Sequence, residues 1–369
     1  MVTRRDMMIL GLAAPWLTAC GGGGSGGGGA GPENVVLSAI IDDDWNRAAP
    51  EGEGVAPALM QTLLAEGAQI PSLRSLLVVR NARLIGERYY ADGQSSDLRH
   101  IRSATKTVSS LLAGQAIRDG KIRGVTSTLA ELLPREMARV PTSVAGNVTL
   151  AQVLRMRSGL AWDEDVHMQE LLHAPDLASL ALSLPIAPLG PNGPYWNYNS
   201  AVSHLVSPIV ANAYGEDTLA VATRNLFAPL GIRQTAWQRD GTGTILGSFG
   251  LQLRARDLMK LAWMALDGGM WQGKSVVPAA WLNESFTNHV HIGPIGDMSD
   301  VGYGYLWWRG MLGGHQVITA YGFGGQFAML VPDLRMTIAT AALWDLPLDE
   351  GSANEELIFN LIGRFLSKL

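Results

Sequence analysis

The stretch Ser103-Ala104-Thr105-Lys106 carries the main signal for both fold and chemistry in this chain. In a helix, residues three positions apart lie on one face, so the serine Oγ and the lysine Nζ can meet. An amine placed there can take the proton of a nucleophilic hydroxyl. The first turn of a helix also offers unpaired backbone N–H groups and the positive end of the dipole, which favour a developing oxyanion. The tetrapeptide therefore predicts a serine nucleophile with a lysine base.

The residues that follow this motif favour a helix. An apolar-leaning stretch begins at Val108, and Gly120 is a helix-ending residue. The chain has five lysines, and Lys106 alone has a serine three positions before it. A match of this kind also arises by chance on ordinary helices with an exposed lysine. Its interpretation therefore depends on what else the chain contains.

Length and composition limit the possible functions. The chain has 369 residues, of which 47% are hydrophobic and 17% charged, so it can bury a sizeable core and is expected to form two lobes. Its formal net charge is −5. That charge leaves no basic surface of the kind that binds nucleic acid, so a nucleic-acid partner is not expected.

The N-terminus resembles a bacterial export signal. Arg4 and Arg5 precede an apolar segment over residues 7–17, which is too short for a permanent membrane span. Leu17-Thr18-Ala19-Cys20-Gly21 then resembles a lipobox, and residues 3–8 also resemble a twin-arginine signal. We expect residues 1–20 to be a signal peptide and Cys20 to be lipidated, which would anchor an exported protein to a membrane on the periplasmic side. The alternative is a plain secretory signal with an incidental cysteine.

Cysteine usage and the next segment agree with this expectation. Cys20 is the single cysteine, so the chain has no disulfide framework and no thiolate metal site. Residues 21–31 are nearly all glycine, a composition that forms a flexible tether rather than a packed element. An artificial spacer is the alternative interpretation of this tract.

The pattern along the rest of the chain predicts an α+β fold. Two strands over residues 73–79 and 84–90 form a hairpin around Asn81-Ala82, and strands recur over 303–309, 316–320, 326–331 and 336–342. Between them the patterns are mostly helical. We expect one lobe from residues 32–134 plus 231–369, with an antiparallel sheet flanked by helices, and a mostly helical lobe inserted at 135–230.

Three further segments give the motif its context. They are Ser158-Gly159-Leu160-Ala161-Trp162 after a helix, the polar-aromatic loop Tyr195-Trp196-Asn197-Tyr198-Asn199-Ser200, and the glycine-rich Tyr321-Gly322-Phe323-Gly324-Gly325-Gln326 before a strand. With Ser103-x-x-Lys106, in this order, they resemble the serine β-lactamase-like hydrolases. That superfamily includes class C β-lactamases, D-Ala-D-Ala carboxypeptidases, family VIII esterases and 6-aminohexanoate-oligomer hydrolases. The resemblance covers roughly residues 50–369 and implies a β-lactamase/transpeptidase-like fold.

The resemblance also implies roles for individual residues. Ser103 would be acylated, Lys106 would be its base, and Tyr198 would relay a proton to the leaving group and later activate water. The family usually has Tyr-x-Asn at this loop, and here Ser200 replaces the asparagine, as in the esterase and aminohexanoate-hydrolase branch. Ser200 is then expected to contribute to substrate binding and to remain able to hydrogen bond Lys106.

The third motif departs further from the family pattern. Penicillin-recognising members have Lys-Thr-Gly or His-Thr-Gly there, whereas this chain has Ala320-Tyr321-Gly322. The backbone N–H of Phe323 would form the oxyanion hole with that of Ser103, a role that needs no particular side chain. The side-chain cation for a substrate carboxylate is missing. Gly322 and Gly324 are expected to border the substrate.

The nature of the other candidate residues stays open. Trp162 is expected in the substrate pocket, and four other aromatic residues share two equal interpretations, as pocket lining or as core: Tyr195, Trp196, Trp307 and Trp308. His289 and His291 form a possible metal pair, but they lack a third ligand at a recognisable spacing, so neither a metal nor a cofactor is expected. We expect hydrolysis of small esters or amides. The alternatives are a β-lactamase or D-Ala-D-Ala carboxypeptidase, and an inactive envelope-binding lipoprotein.

Overall fold

The computed structural model describes residues 33–36, 45–190 and 193–369. The expected signal peptide, Cys20 and the glycine tract lie outside the described residues, so these expectations stay predictions. Among the described helices, none combines the length and the apolar character needed to cross a membrane.

The centre of the fold is an eight-stranded antiparallel sheet, which confirms the predicted fold class. Its strand order is β11-β12-β13-β14-β15-β16-β2-β3, so strands from the two ends of the sequence meet at β2 and β16. In chain order these strands are β2 (Leu73–Arg80), β3 (Arg83–Tyr89), β11 (Val290–His291), β12 (Ser299–Tyr303), β13 (Trp308–Leu312), β14 (His315–Gly322), β15 (Gln326–Val331) and β16 (Met336–Ala342).

Local sequence explains the best-defined parts of this sheet. Strands β2 and β3 are joined by Asn81 and Ala82, whose φ angles of 49° and 62° form the left-handed two-residue turn that matches strand twist. Strand β16 is buried along its whole length, and β2 is buried apart from its last residue. Continuous burial of this kind is typical of strands covered on both faces.

Helices cover the sheet and fill the segment between its two halves. Helix α2 packs against β14 and β15, α11 packs against β2, β15 and β16, and α1 packs against α13. The helices are α1 (Pro57–Gly67), α2 (Ala104–Arg118), α3 (Leu129–Leu132), α4 (Pro134–Arg139), α5 (Leu150–Leu154), α6 (Met168–His173), α7 (Leu177–Ser183), α8 (Ser200–His204), α9 (Val206–Tyr214), α10 (Thr218–Ala222), α11 (Ala255–Leu266), α12 (Ala279–Phe286) and α13 (Leu348–Leu366). Short 3-10 turns lie at Pro50–Glu53, Ala145–Asn147 and Pro332–Leu334, and a π turn at Thr223–Phe227 extends α10.

The sequence patterns did not predict a second, small sheet. It has the order β1-β7-β8-β4, from Glu33–Val36, Gln234–Trp237, Leu251–Leu253 and Arg99–His100. These strands have two to four residues, too few for a clear alternation to stand out. Strand β4 ends three residues before Ser103, so the small sheet fixes where the nucleophile segment begins. Two further two-stranded pairs are β5 (Leu189–Gly190) with β6 (Gly193–Pro194), and β9 (Met270–Trp271) with β10 (Lys274–Ser275).

Two predicted elements are wrong in detail. The predicted strand over 303–309 is a tight reversal instead: Tyr303 pairs with Trp308, and Leu306 between them has a φ of 60°. The helical pattern over residues 201–213 predicts one helix, whereas the structure has two, α8 and α9, separated at Leu205. The described elements of residues 135–230 are mostly helical, while the proposed lobe boundaries stay a prediction.

Candidate active site

The Ser103 motif lies at the start of α2, as its sequence predicts. Ser103 is at the N-cap position of the helix, and Arg102 precedes it with a φ of 52°, a left-handed conformation that a side-chain-bearing residue seldom adopts. Such strained residues persist where the surroundings hold them, often at functional sites. Lys106 lies one turn along, 1% exposed.

The contact between Ser103 and Lys106 is direct. Lys106 Nζ donates to Ser103 Oγ over 2.9 Å and to the carbonyl oxygen of Ser248 over 3.1 Å. Ser109 of the same helix donates to the carbonyl of Gly247, which holds the segment that contains Ser248 in place. Burial lowers the pKa of Lys106 to about 8, against an opposing effect of the Glu164 carboxylate. A substantial neutral fraction of this amine is therefore present just above neutral pH.

Tyr198 lies on the other side of Lys106. Its ring centroid is 4.8 Å from Lys106 Nζ. The loop is fixed by Asn199, whose side chain accepts from the N–H of Val202 and caps α8. The ring of Tyr198 also packs against Trp308 at 5.7 Å and Tyr303 at 6.5 Å between centroids. The structure thus brings together the three residues predicted to carry the reaction.

The turn after β14 faces the nucleophile segment. A Cβ atom on Gly322 would lie 2.1 Å from the carbonyl oxygen of Ile101, so only glycine allows this close approach. Within the described part of the chain, neither the N–H of Ser103 nor that of Phe323 has a hydrogen-bond acceptor. Two unused N–H groups beside a serine hydroxyl are what an oxyanion hole requires.

Glu164 is a site residue that the sequence patterns missed. Its carboxylate accepts from the Ser200 hydroxyl, from the Ser200 N–H over 3.1 Å and from Trp162 Nε1 over 2.7 Å. It also acts electrostatically on Lys106. The available signal was its place two residues after Trp162, but Asp163 and Asp165 flank it and nothing local separates the three acids. Its role depends on contacts with residues far along the chain.

Three predicted binding residues have different surroundings from those expected. Ser200 donates its hydroxyl to Glu164, whereas the hydrogen bonds of Lys106 go to Ser103 and Ser248. Trp162 is buried and holds Glu164, which makes it a support for that carboxylate. Gly324 is buried, its N–H donates to Glu355 and its carbonyl accepts from Asn354, so its polar groups are already paired within the protein.

The remaining aromatic candidates separate into core and surface. Trp307 and Trp308 are buried, Trp196 is half-buried and Tyr195 is 63% exposed. Trp196 packs edge-on against Trp308 at 5.9 Å. Among these residues, Trp196 is the half-buried one beside Tyr198, with 6.3 Å between the ring centroids.

The two candidate metal-binding histidines have separate partners. His289 is 3.3 Å from Glu284, and His291 is 3.3 Å from Asp300. No group of three or more such side chains in the described residues could hold a metal ion.

Comparison with known proteins identifies the family. The family model named Beta-lactamase matches residues 58–361. That span includes α2, the Tyr198 loop and the turn after β14.

Solved structures agree with the fold. A Bacillus anthracis protein assigned as a 6-aminohexanoate-dimer hydrolase is 17% identical, with a TM-score of 0.70 over 92% of each chain. A D-stereospecific amidohydrolase from Streptomyces sp. is 18% identical, with a TM-score of 0.61 over 82% of this chain and 96% of its own. A β-lactamase/D-alanine carboxypeptidase from Pseudomonas syringae is 14% identical, with a TM-score of 0.59 over 82% and 99%.

These structures are similar in fold, and the family model covers most of the sequence, including the serine, the lysine and the glycine-rich turn described above. The chain belongs to the Beta-lactamase family of hydrolases.

Proposed function

We propose that this protein is a serine hydrolase that cleaves small esters or amides through an acyl-enzyme on Ser103. The observation that carries the proposal is the 2.9 Å hydrogen bond between Ser103 Oγ and a lysine amine that is fully buried. Burial makes the amine a base near neutral pH, and the hydrogen bond places the Ser103 hydroxyl within its reach.

The acylation step follows from this arrangement. Ser103 Oγ attacks the substrate carbonyl carbon as its proton passes to Lys106 Nζ. The carbonyl oxygen becomes an oxyanion and accepts from the N–H groups of Ser103 and Phe323. The tetrahedral intermediate collapses, the bond to the leaving group breaks, and the proton goes to the departing oxygen or nitrogen. Tyr198, 4.8 Å from the lysine nitrogen at its ring centre, is the proposed relay for that proton.

Hydrolysis of the acyl-enzyme by water completes the cycle, with the proton transfers in the reverse order. A water molecule gives a proton to the Tyr198 and Lys106 pair and attacks the acyl carbon. The ester bond to Ser103 breaks, the proton returns to Oγ and the acid leaves. We further propose that the enzyme acts as an exported, lipid-anchored protein, which the sequence of residues 1–20 supports.

The test is paired hydrolysis of a short-chain p-nitrophenyl ester and a chromogenic cephalosporin by protein lacking residues 1–31. Ester turnover that is lost in Ser103→Ala, with little cephalosporin cleavage, is the expected result. Activity that survives Ser103→Ala would overturn the mechanism. A short oligoamide is assayed in parallel, so that a strict amidase is also detected.

A β-lactamase or carboxypeptidase activity is the second candidate. The residue at the usual cation position is Ala320, which is buried and uncharged, and this counts against that activity. However, the guanidinium carbon of Arg102 lies 5.5 Å from the centre of the Phe323 ring and 5.5 Å from that of Trp344. A cation from another part of the chain thus lies beside the turn after β14. Strong cephalosporin turnover that is lost in Arg102→Gln would establish this candidate.

A further inference from the structure

The C-terminal helix holds the turn that carries the Phe323 N–H. This turn, residues 323–325, connects β14 and β15, and we call it the oxyanion turn. We propose that Glu355, together with Asn354, is a positioning residue that sets the direction of the Phe323 N–H toward the reacting carbonyl. The inference rests on the proposed function of Ser103 and extends it to a residue with no part in the bond changes.

Glu355 binds the oxyanion turn from α13. It is 3% exposed, and one carboxylate oxygen accepts from the N–H of Gly324 over 2.9 Å. Its other oxygen accepts from the hydroxyl of Tyr321, two residues before Phe323. Hydrogen bonds to an ionised acceptor are shorter and stronger than neutral ones. The chain is therefore held on both sides of Phe323.

Asn354 adds a second point of attachment. Its amide donates to the carbonyl of Gly324, and its oxygen accepts from the hydroxyl of Ser72. Both peptide units that flank Gly324 are thus oriented by α13. Gly324 and Gly325 have φ angles of 80° and 101°, which glycine adopts readily. They have no side chains that could stiffen the turn. The stiffness comes from these contacts with α13 instead.

The Phe323 ring packs on the same helix. A Cβ atom added at Gly351 would lie 2.0 Å from Cζ of Phe323, so the ring rests directly on the helix backbone at that position. Gly351, Asn354, Glu355 and Ile358 lie on one face at helical spacing. This face contacts the turn through a ring, a carbonyl and an N–H. A shift of α13 would therefore move the Phe323 N–H.

The experiment compares Glu355→Gln and Tyr321→Phe with a matched control, Glu356→Gln, on the same helix at an exposed position. Each is assayed on an oxygen ester and on the thionoester of the same acid, because sulfur is a weak acceptor and gains little from an oxyanion hole. A displaced Phe323 N–H is expected to lower kcat on the oxygen ester about tenfold to hundredfold, with a smaller change in KM. The ratio of oxygen-ester to thionoester rates should fall in Glu355→Gln, fall less in Tyr321→Phe and stay constant in the control.

A purely structural role predicts a different pattern. Thermal unfolding would then shift, while the oxygen-to-sulfur ratio would equal that of the wild type, and this outcome would overturn the inference. If Glu355→Gln does not fold, Tyr321→Phe decides, since it keeps the buried carboxylate and removes one hydrogen bond. If the wild-type activity depends on Ser103 but the oxygen-ester to thionoester ratio is unchanged in both variants, the positioning role is contradicted while the proposed function stands. A wild-type Ser103 that reacts with neither ester nor a fluorophosphonate would overturn the proposed function and the positioning role together.

Discussion

Two lysines of this protein are almost fully buried, and their surroundings differ in one respect. Lys260 on α11 lies 3.0 Å from the carboxylate of Asp257, which is also held by Arg254 over 2.7 Å. Lys106 on α2 is hydrogen bonded to a hydroxyl and a carbonyl. The first lysine is therefore part of a compensated ionic group, and the second is a buried amine next to the proposed nucleophile.

This difference separates a lysine in a structural ion pair from the proposed base. Burial beside neutral oxygens favours the free amine. The effect on Lys106 is a pKa lowered to about 8 by burial. The Glu164 carboxylate, which bonds Ser200 and Trp162, opposes that shift from a greater distance.

The largest expected effect is on kcat, when Lys106 rather than Lys260 is replaced by methionine. Lys106→Met removes the proposed base and should lower kcat on a p-nitrophenyl ester by about a thousandfold or more. Lys260→Met, the matched control, should leave the kcat of the folded enzyme within about threefold. Steady-state kinetics on titrated active sites measures both. Equal losses in the two variants would remove the distinction between them.

The same two substitutions should change the free energy of unfolding in opposite directions. Breaking the buried pair in Lys260→Met leaves Asp257 undercompensated and should destabilise the fold by about 3 kcal/mol. Because the pKa of Lys106 is lower in the folded than in the unfolded chain, its burial costs stability below pH 8, and the cost vanishes as the pH rises toward 10.5. Lys106→Met should therefore stabilise the protein at pH 7 by about 1–3 kcal/mol. Urea unfolding tests both, and destabilisation by Lys106→Met would contradict the electrostatic argument.

The pH dependence of kcat/KM should follow the titration of Lys106. The rate rises with pH and levels above about 8, where the amine is neutral. Glu164→Gln removes the charge that raises the pKa of Lys106, so the inflection should move to lower pH. The exposed Glu170→Gln serves as control and should leave the profile in place. A profile that moves upward in Glu164→Gln would show that this carboxylate acts in another way.

The smallest effect concerns Ser200. Ser200→Ala removes one hydrogen bond to Glu164, while its backbone N–H and Trp162 still hold the carboxylate. We expect a loss in kcat/KM of roughly fivefold, equivalent to about 1 kcal/mol. Ser183→Ala, at an exposed position, should be neutral. A loss of a hundredfold would instead indicate that the Ser200 hydroxyl contacts the reacting groups.

Short-range signals predicted the β2–β3 hairpin and the contact between Ser103 and Lys106. The Asn81-Ala82 turn and the Ser103-x-x-Lys106 spacing depend on residues within one turn, so the sequence shows them directly. The family resemblance added Tyr198 and the turn after β14, which no local pattern would have joined to α2.

Long-range contacts explain what the sequence could not predict. The carbonyl of Ser248 lies 142 residues from Lys106 along the chain, and Glu355 lies 31 residues from Gly324. A carboxylate such as Glu164 or Glu355 has the same local appearance as a solvated surface acid. What makes either of them part of the candidate site is contact with partners that only the folded chain brings close.

The meeting of β2 and β16 in the sheet has a consequence for biosynthesis. A nascent chain that has been synthesised as far as α2 already contains Ser103 and Lys106. It still lacks β14, β16 and α13, which begin roughly two hundred residues or more after α2 ends. The early segment therefore cannot complete its sheet or the oxyanion turn before translation nears its end, so the candidate active site is assembled only when the polypeptide is almost complete.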